Sequence, residues 1–142
     1  MSKLLNCLIN KDSSCVPVWF MRQAGRYLPE FKKIRSKNQN FLELCFNSDL
    51  AYEITLQPMK RFNLDAAIIF SDILVIPYAL RQPIEFRSKG GPWNSNLNIN
   101  KLLETSENEF ISTLKPIYKA IKKTREALEK NKSLIAFVGA PW

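Results

Sequence analysis

The sequence predicts an α/β fold with parallel strands, on three observations. Residues 66–70 (AAIIF) and 133–138 (SLIAFV) are continuous apolar runs of strand length, typical of parallel strands covered on both faces. A long stretch between them carries apolar residues at helical spacing. A strand, a helix and a strand joined by a connection of this length predict a parallel pair with a right-handed crossover. We see no internal repeat or domain boundary, so we expect a single domain over residues 1–142.

The first elements follow from short local patterns. Residues 16–20 (VPVWF) are rich in β-branched and aromatic side chains, which predicts the first strand. The RQAGR segment, residues 22–26, is then the loop that leaves this strand. Pro29 follows at a position where it can begin a helix.

A second helix is predicted just before the apolar run at 66–70. Asn47, Ser48 and Asp49 offer N-cap residues and an acidic first turn, and the helix should run through Leu56. Pro58 should kink this helix or mark a break in it.

Residues 80–100 carry turn signals, and we expect a long connection there. Such a connection either carries function or is a surface excursion, and the sequence leaves both open. The turn-forming residues are Gly90, Gly91, Pro92, Asn94, Asn96, Asn98 and Asn100.

The crossover helix has a clear start. Ser106 and Glu109 form an S-x-x-E capping box, and the helical spacing that follows extends to about Asn131. Pro116 should be an internal irregularity. The lysines of this stretch are expected to form a solvated face; they are Lys115, Lys119, Lys122, Lys123 and Lys130.

The chain is basic, with a net charge of +8 over 142 residues. A positive field attracts polyanions, so this charge suits a polycarboxylate substrate or nucleic acid, while a general excess of surface lysine explains it equally well. No block of five like charges occurs, and no aromatic residues interleave with basic ones. We therefore do not expect a nucleic-acid partner.

Cofactor and membrane signals are missing from the sequence. There is no histidine, and Cys7, Cys15 and Cys45 show no C-x-x-C spacing, so we expect no zinc or iron–sulfur site. Cys45 should be a small core residue. The apolar N-terminal stretch is too short for a signal peptide or a membrane span, so we expect a cytoplasmic protein without membrane association.

Two arginines four positions apart, Arg22 and Arg26, frame a small segment directly after an apolar run. Their guanidinium groups and the backbone N–H groups of this segment can converge on one carboxylate or phosphate. Arginine pairs also serve as salt-bridged surface residues, and spacing alone leaves both interpretations open. Asp72, which follows the second apolar run, has a similar choice between capping a helix and serving a site at the carboxyl end of a strand.

Three strings occur in an order and spacing that resemble the uroporphyrinogen decarboxylase family. They are PVWFMRQAGRYLPEF at 17–31, FNLDAAIIFSDILVIP at 62–77 and FVGAPW at 137–142. The resemblance implies a (β/α)₈ TIM barrel, usually a homodimer, that needs no cofactor. It also implies decarboxylation of the acetate side chains of uroporphyrinogen III to coproporphyrinogen III in haem biosynthesis. The related cobalamin-linked methyltransferases share the barrel but lack the RQAGR string.

The resemblance also assigns the central catalytic roles. Asp72 matches the family's essential aspartate, which accepts hydrogen bonds from the pyrrole N–H groups of the substrate. Arg22 and Arg26 match arginines that bind the acetate and propionate carboxylates. Arg22 is in addition a candidate general acid, although an arginine side chain holds its proton too tightly to donate it readily.

Further residues are implied around this centre. Gln23, Ala24 and Gly25 match residues that line the substrate site, where a small profile lets the substrate approach. Arg35 matches a basic position associated with a side-arm carboxylate, and for Arg35 a solvated surface position is an equally good interpretation.

The chain is short for the family it resembles. Barrels of this type need roughly 250 residues, so 142 residues supply fewer than half of the strands. The sequence stops at Trp142 directly after an apolar run, and we expect a truncated or split gene product. The family's remaining site residues, a tyrosine, a serine or threonine and a histidine, would lie beyond it. The alternatives to an active enzyme are therefore an incompetent fragment or one half of a split enzyme.

One departure from the family pattern lies after the aspartate. The family continues A-L-G, whereas this chain has Ala79, Leu80 and Arg81. Arginine resists the positive φ that glycine adopts freely, so we expect either local distortion or drift at this position.

Overall fold

A parallel strand pair forms the centre of the fold. The computed structural model describes residues 1–87, 91–94 and 98–139, and at residues 22–24, 85–87 and 91–94 it describes the backbone alone. Strand β1 (Ala66–Ile68) pairs in parallel with β4 (Ser133–Ile135), with Ala66 opposite Ser133. This confirms the predicted α/β fold with parallel strands. Both strands are shorter than predicted, because the ladder ends with the bond from Ile69 N–H to the Ile135 carbonyl, at 3.0 Å.

Helices occupy most of the remaining described chain. In order they are α1 (Lys3–Asn10), a 3₁₀ helix (Arg22–Tyr27), α2 (Pro29–Lys37), α3 (Phe41–Phe46), α4 (Ser48–Arg61), α5 (Val75–Ala79), α6 (Ile99–Glu104) and α7 (Glu107–Ala127). Strands β2 (Ile84–Arg87) and β3 (Gly91–Asn94) form a separate antiparallel hairpin.

The core lies where α4 and α7 pack against β1. Its buried members include Leu44, Cys45 and Ala51, and Cys45 is fully buried, as predicted for a core residue. Helix α4 begins at the predicted N-cap, with Asn47 Oδ1 accepting from the N–H groups of Asp49 and Leu50 at 3.1 Å. The helix continues through Pro58, so the predicted break is absent.

The prediction of a first strand at residues 16–20 is wrong. Val18 donates its N–H to the carboxylate of Asp65 at 2.9 Å, and its carbonyl accepts from Asp65 N–H at 2.8 Å. A side-chain oxygen therefore stands where a ladder would need a main-chain carbonyl, and Pro17 has no N–H to extend the pairing. Residues 16–20 form no strand.

The RQAGR segment is a 3₁₀ helix and not the predicted loop. The turn ends with Leu28 N–H donating to the Gly25 carbonyl at 3.1 Å, and α2 then begins at Pro29 as predicted. Gly25 lies close to α4, since a Cβ at this position would be 3.3 Å from Pro58 Cγ. A small residue lets the 3₁₀ helix approach α4 closely.

The predicted long connection over residues 80–100 contains regular structure. The β2–β3 hairpin and the start of α6 lie within it, whereas Gly90 and Asn96 fall outside the described residues. Gln82 closes the base of the hairpin, because its amide donates to the Asn98 carbonyl at 3.2 Å and accepts from Asn98 N–H at 2.9 Å. Gln82 is 4% exposed, so these main-chain bonds satisfy its buried amide.

Helix α7 begins where the sequence predicts and ends before the predicted residue. Ser106 Oγ accepts from Glu109 N–H at 3.3 Å, and the helix runs through Pro116 without interruption. It ends at Ala127, not near Asn131, because the chain turns extended at Leu128. Arg125 supports this turn by donating to the carbonyls that follow the helix, those of Leu128, Glu129 and Lys132.

No helix among the described residues is long and apolar enough to cross a membrane. Within the same ranges, no group of three or more histidine, cysteine, aspartate or glutamate residues is arranged to hold a metal ion.

Candidate active site

Two arginines from different elements meet at one aromatic ring. Arg26 lies in the last turn of the 3₁₀ helix and Arg35 in the last turn of α2. Their guanidinium carbons are 5.4 and 5.9 Å from the centre of the Phe41 ring. Asn40 caps α3, with its Oδ1 accepting from Leu42 N–H at 3.0 Å, and so fixes Phe41 as the first residue of the helix. We call Arg26, Arg35 and Phe41 the arginine cluster.

The arginine cluster rests on the end of β1. The Phe41 ring packs edge-on against Phe70, with ring centres 5.6 Å apart, and Phe70 also contacts Phe31. Phe70 N–H donates to Thr55 Oγ1 at 2.8 Å, and Thr55 in turn donates to the Ala51 carbonyl within α4 at 2.7 Å. A buried hydroxyl thus fixes the chain just after β1 to α4, at the point where the arginine cluster packs.

A cleft opens beside the arginine cluster, between the 3₁₀ helix, α4 and β1. Gly25 and Arg26 line it together with Thr55, Ile68 and Phe70. Among the described residues that line the cleft, Arg26 carries the single charge, and most of the others are apolar. In this largely apolar wall the Arg26 guanidinium is therefore the one charged contact that the described lining offers.

Asp72 follows Phe70 by two residues and is half-buried. Its Oδ1 accepts from Leu74 N–H at 3.0 Å, and its carbonyl accepts from Val75 N–H at 3.3 Å, in the turn that leads into α5. The N-cap of α5 is Leu74, with no side-chain hydrogen bond to the helix, so Asp72 does not cap α5 as the sequence suggested. The bond from Leu74 N–H only closes the turn before the helix. This hydrogen bond leaves further acceptor positions on the Asp72 carboxylate, since a carboxylate has about four lone-pair positions for hydrogen bonds.

The structure does not bring all predicted site residues into one cavity. Arg26, Gly25 and Arg35 lie together around Phe41 and the cleft, whereas Asp72 lines a second pocket with Ile73, Tyr118 and Phe137. Gly139, from the FVGAPW string, lies near this second pocket, where an added Cβ would be 3.6 Å from Ile73 Cβ. The remainder of that string, residues 140–142, falls outside the described residues.

Three predicted site residues are described by their backbone alone. Arg22, Gln23 and Ala24 form the first half of the 3₁₀ helix. Their side chains lie outside the described part of the molecule, so their roles stay predictions.

Arg81 adopts the backbone conformation that the family's glycine would favour. Its φ is 56°, in the left-handed region, and its N–H donates to the Tyr78 carbonyl at 2.9 Å where α5 ends. The Arg81 guanidinium forms an ion pair with Glu109, the third residue of α7. Arg81 thus stands in place of the family's glycine in a strained backbone conformation, and its side chain forms one ion pair.

Sequence reasoning missed three structural residues: Phe41, Thr55 and Asp65. Asp65 precedes β1 and binds Val18, while its Oδ1 lies 3.1 Å from Lys3 Nζ. The hydrogen bond from Val18 N–H and the nearby Lys3 ammonium hold the pKa of Asp65 below its usual value. Asp65 lies before β1, at the opposite end of the strand from Asp72. No spacing in the sequence marks a single aromatic, threonine or aspartate as special.

Comparison with known proteins identifies relatives over the whole chain. A family model described as uroporphyrinogen decarboxylase matches residues 1–142. A uroporphyrinogen decarboxylase of Chelativorans sp. (strain BNC1) is 46% identical over 140 residues, which cover 99% of this chain and 41% of the relative. The Rickettsia felis protein of the same name is 45% identical over 142 residues, with 100% and 41% covered. The chain thus spans about two fifths of the length of these relatives.

Proposed function

Since the chain belongs to the uroporphyrinogen decarboxylase family, we propose that it forms the N-terminal part of a cofactor-free uroporphyrinogen decarboxylase. In this proposal it contributes the first strands of a (β/α)₈ barrel and acts once the rest of the barrel is supplied. The reaction is the removal of CO₂ from the acetate side chains of uroporphyrinogen III, which gives coproporphyrinogen III in haem biosynthesis. The assembled enzyme would be a cytoplasmic homodimer.

One observation carries the proposal: Arg26 and Arg35 converge on Phe41 at the carboxyl end of β1, and Asp72 follows from the same strand end. In barrels of parallel strands, catalytic groups occupy this end. Cations and a carboxylate at one strand end are what a polycarboxylate with pyrrole N–H groups requires.

The arginines would bind and orient the substrate. Arg22, Arg26 and Arg35 hold acetate and propionate carboxylates, because a guanidinium donates two parallel hydrogen bonds to a carboxylate. Gln23, Ala24 and Gly25 line the approach. The net charge of +8 favours encounter with such a polyanion. The same resemblance makes Arg22 the candidate that returns a proton to the carbon left after CO₂ departs.

Asp72 would stabilise the charge that develops during the reaction. Loss of CO₂ leaves an electron pair that needs an acceptor, and the protonated pyrrole of the substrate can serve, so no cofactor is required. The cation formed on that ring needs a fixed counter-charge. Leu74 N–H already orients the Asp72 carboxylate, so little reorganisation is needed when the charge appears.

The test is uroporphyrinogen decarboxylation by three samples. They are the chain alone, the chain mixed with the remaining C-terminal part of the Rickettsia felis relative, and that mixture with Asp72→Asn. We expect activity in the wild-type mixture, and a loss of about 10²–10³-fold in the Asp72→Asn mixture. Activity of the Asp72→Asn mixture within about threefold of wild type would remove Asp72 from the mechanism.

A catalytically incompetent fragment is the second candidate. It rests on one observation, that the chain spans 41% of the length of each of these relatives. Inactivity of every sample, including mixtures that form a stable complex, would support this candidate. Activity of the wild-type mixture alone would instead identify one half of a split enzyme.

A further inference from the structure

We propose that Phe41 is a positioning residue whose ring holds the guanidinium groups of Arg26 and Arg35 toward one polycarboxylate ligand. The inference rests on the proposed function, which supplies the ligand. It adds a residue to the site that neither the sequence motifs nor the arginine spacing indicates.

The first step concerns the two cations. Arg26 and Arg35 belong to different helices, and long side chains of this type sample many rotamers unless a surface restrains them. Both guanidinium carbons lie within 6 Å of the Phe41 ring centre, at 5.4 and 5.9 Å. At this distance a guanidinium is attracted to the ring. One ring therefore restrains both cations.

The second step concerns the hydrogen-bond donors and the charge that each arginine can present to a ligand. Arg35 donates one N–H to the Asn38 carbonyl, which anchors it and leaves its other donors for a ligand. Neither Arg26 nor Arg35 is ion-paired with a carboxylate among the described residues. The two charges are thus oriented but not neutralised, as a receptor for carboxylates requires.

The third step concerns the base on which the ring rests. Phe41 packs edge-on against Phe70, which is 3% exposed and whose N–H is bound by Thr55. Asp72 follows Phe70 by two residues on the same chain. Phe41 therefore fixes the arginines relative to the chain that leaves β1, on which Asp72 lies.

A purely structural role for Phe41 is the competing explanation, because the ring also packs against the core. The chain offers a matched control. Phe46 lies on the same helix, is also half-buried, and packs against Tyr78 with ring centres 5.1 Å apart. No arginine lies over Phe46 among the described residues. Phe46→Leu therefore removes an aromatic ring from α3 without touching the arginine cluster.

The experiment measures binding of uroporphyrin, a fluorescent octacarboxylate, to wild type, Phe41→Leu, Phe41→Tyr and Phe46→Leu at one ionic strength. Loss of two cation–π contacts should weaken binding by Phe41→Leu about 3- to 10-fold. Phe41→Tyr keeps an aromatic ring and should bind within about twofold of wild type, as should Phe46→Leu. Equal weakening by Phe41→Leu and Phe46→Leu, or no recovery in Phe41→Tyr, would overturn the positioning role and leave the proposed function intact.

A second readout separates this inference from the proposed function. The aromatic ring current of Phe41 should shift the NMR signals of the Arg26 and Arg35 Nε–H groups in the ligand-free chain. Phe41→Leu should abolish that shift and Phe46→Leu should preserve it. If wild type does not bind uroporphyrin but the shift behaves as expected, the ligand is wrong and the positioning stands. Absence of the shift in wild type overturns the positioning itself.

Discussion

At Arg81 an unfavourable backbone conformation and a favourable side-chain ion pair act against each other. Its φ of 56° brings Cβ into steric conflict with the backbone, and its ion pair with Glu109 offsets part of that cost. Both partners are more than a third exposed, so the pair itself contributes little, about 0–1 kcal/mol.

Two substitutions of Arg81 measure the cost of its backbone strain separately from the ion pair. Arg81→Gly and Arg81→Ala both remove the ion pair, but only glycine relieves the strain at positive φ. We expect the glycine variant to be more stable than the alanine variant by about 1 kcal/mol, measured by urea unfolding. Alanine normally exceeds glycine in helices and strands, so an alanine variant that is equally stable would refute the strain.

Asp65 gives the molecule a defined acid response. Its pKa is lowered first by the hydrogen bond from Val18 N–H and further by Lys3. A carboxyl group with a depressed folded-state pKa stabilises the fold above its unfolded value, near 3.8, and this stabilisation is lost as the pH falls through the lower folded value.

We therefore expect wild type to lose stability relative to Asp65→Asn as the pH falls below about 4. At neutral pH Asp65→Asn should be less stable by about 1 kcal/mol, because a charged acceptor becomes neutral. Unfolding free energies at pH 7, 4 and 3 test both statements. A difference between the two proteins that does not change with pH would contradict the assignment to Asp65.

Individual elements differ in how far the sequence determines them. The start of α4 at Asn47, the start of α7 at Ser106 and the parallel pairing of β1 with β4 were all predictable, since caps and apolar periodicity are local signals. Residues 16–20 carry the same local signal for a strand and form none, because the partner at Asp65 offers a side-chain oxygen. Pairing depends on the partner, which local patterns do not contain.

The candidate site divides in the same way. The motif arginines, Gly25 and Asp72 could be named as candidate site residues from the sequence, because the motif strings are long. How these residues group in space could not be predicted from the sequence. Arg35 joins Arg26 through Phe41 on a third element, and Asp72 lines a separate pocket. Such contacts depend on how α2, α3 and β1 pack together, and no spacing along the chain encodes that geometry.

Thr55 joins α4 to the chain after β1, and its hydroxyl can be tested directly. Thr55→Val keeps the shape but leaves the buried Phe70 N–H without its acceptor, which should cost about 1–3 kcal/mol in unfolding free energy. Thr124→Val is the matched control, since Thr124 is equally buried but donates only to Ala120 within its own helix. The Thr55 interpretation fails if Thr124→Val is as costly in urea unfolding.

At the scale of the whole molecule, charge should govern ligand encounter. The net charge of +8 is spread over many exposed lysines, whereas Arg26 lies at the cleft. Salt screens dispersed charges over about 8–10 Å at ordinary ionic strength. Uroporphyrin binding should therefore weaken as NaCl rises from about 0.05 to 0.5 M.

Two variants separate the local charge from the general field. Arg26→Gln should weaken binding by about tenfold and reduce the salt dependence, because a charge-assisted hydrogen bond is lost. Lys119→Gln, at an exposed position of α7, removes the same charge and should change affinity less than twofold. Equal effects of the two variants would indicate attraction by net charge alone.

The contact between α1 and β4 has a consequence for synthesis on the ribosome. Ser2 Oγ and Ser133 Oγ are 2.5 Å apart, although 131 positions separate them in the chain. At about 5–20 residues per second, roughly 7 to 26 s pass between translation of the two serines. During that interval Leu4, which is buried in the finished fold, has not yet gained its place beside β4. A nascent chain therefore exposes the Leu4 side chain for seconds before β4 has been translated, whereas the finished fold buries it.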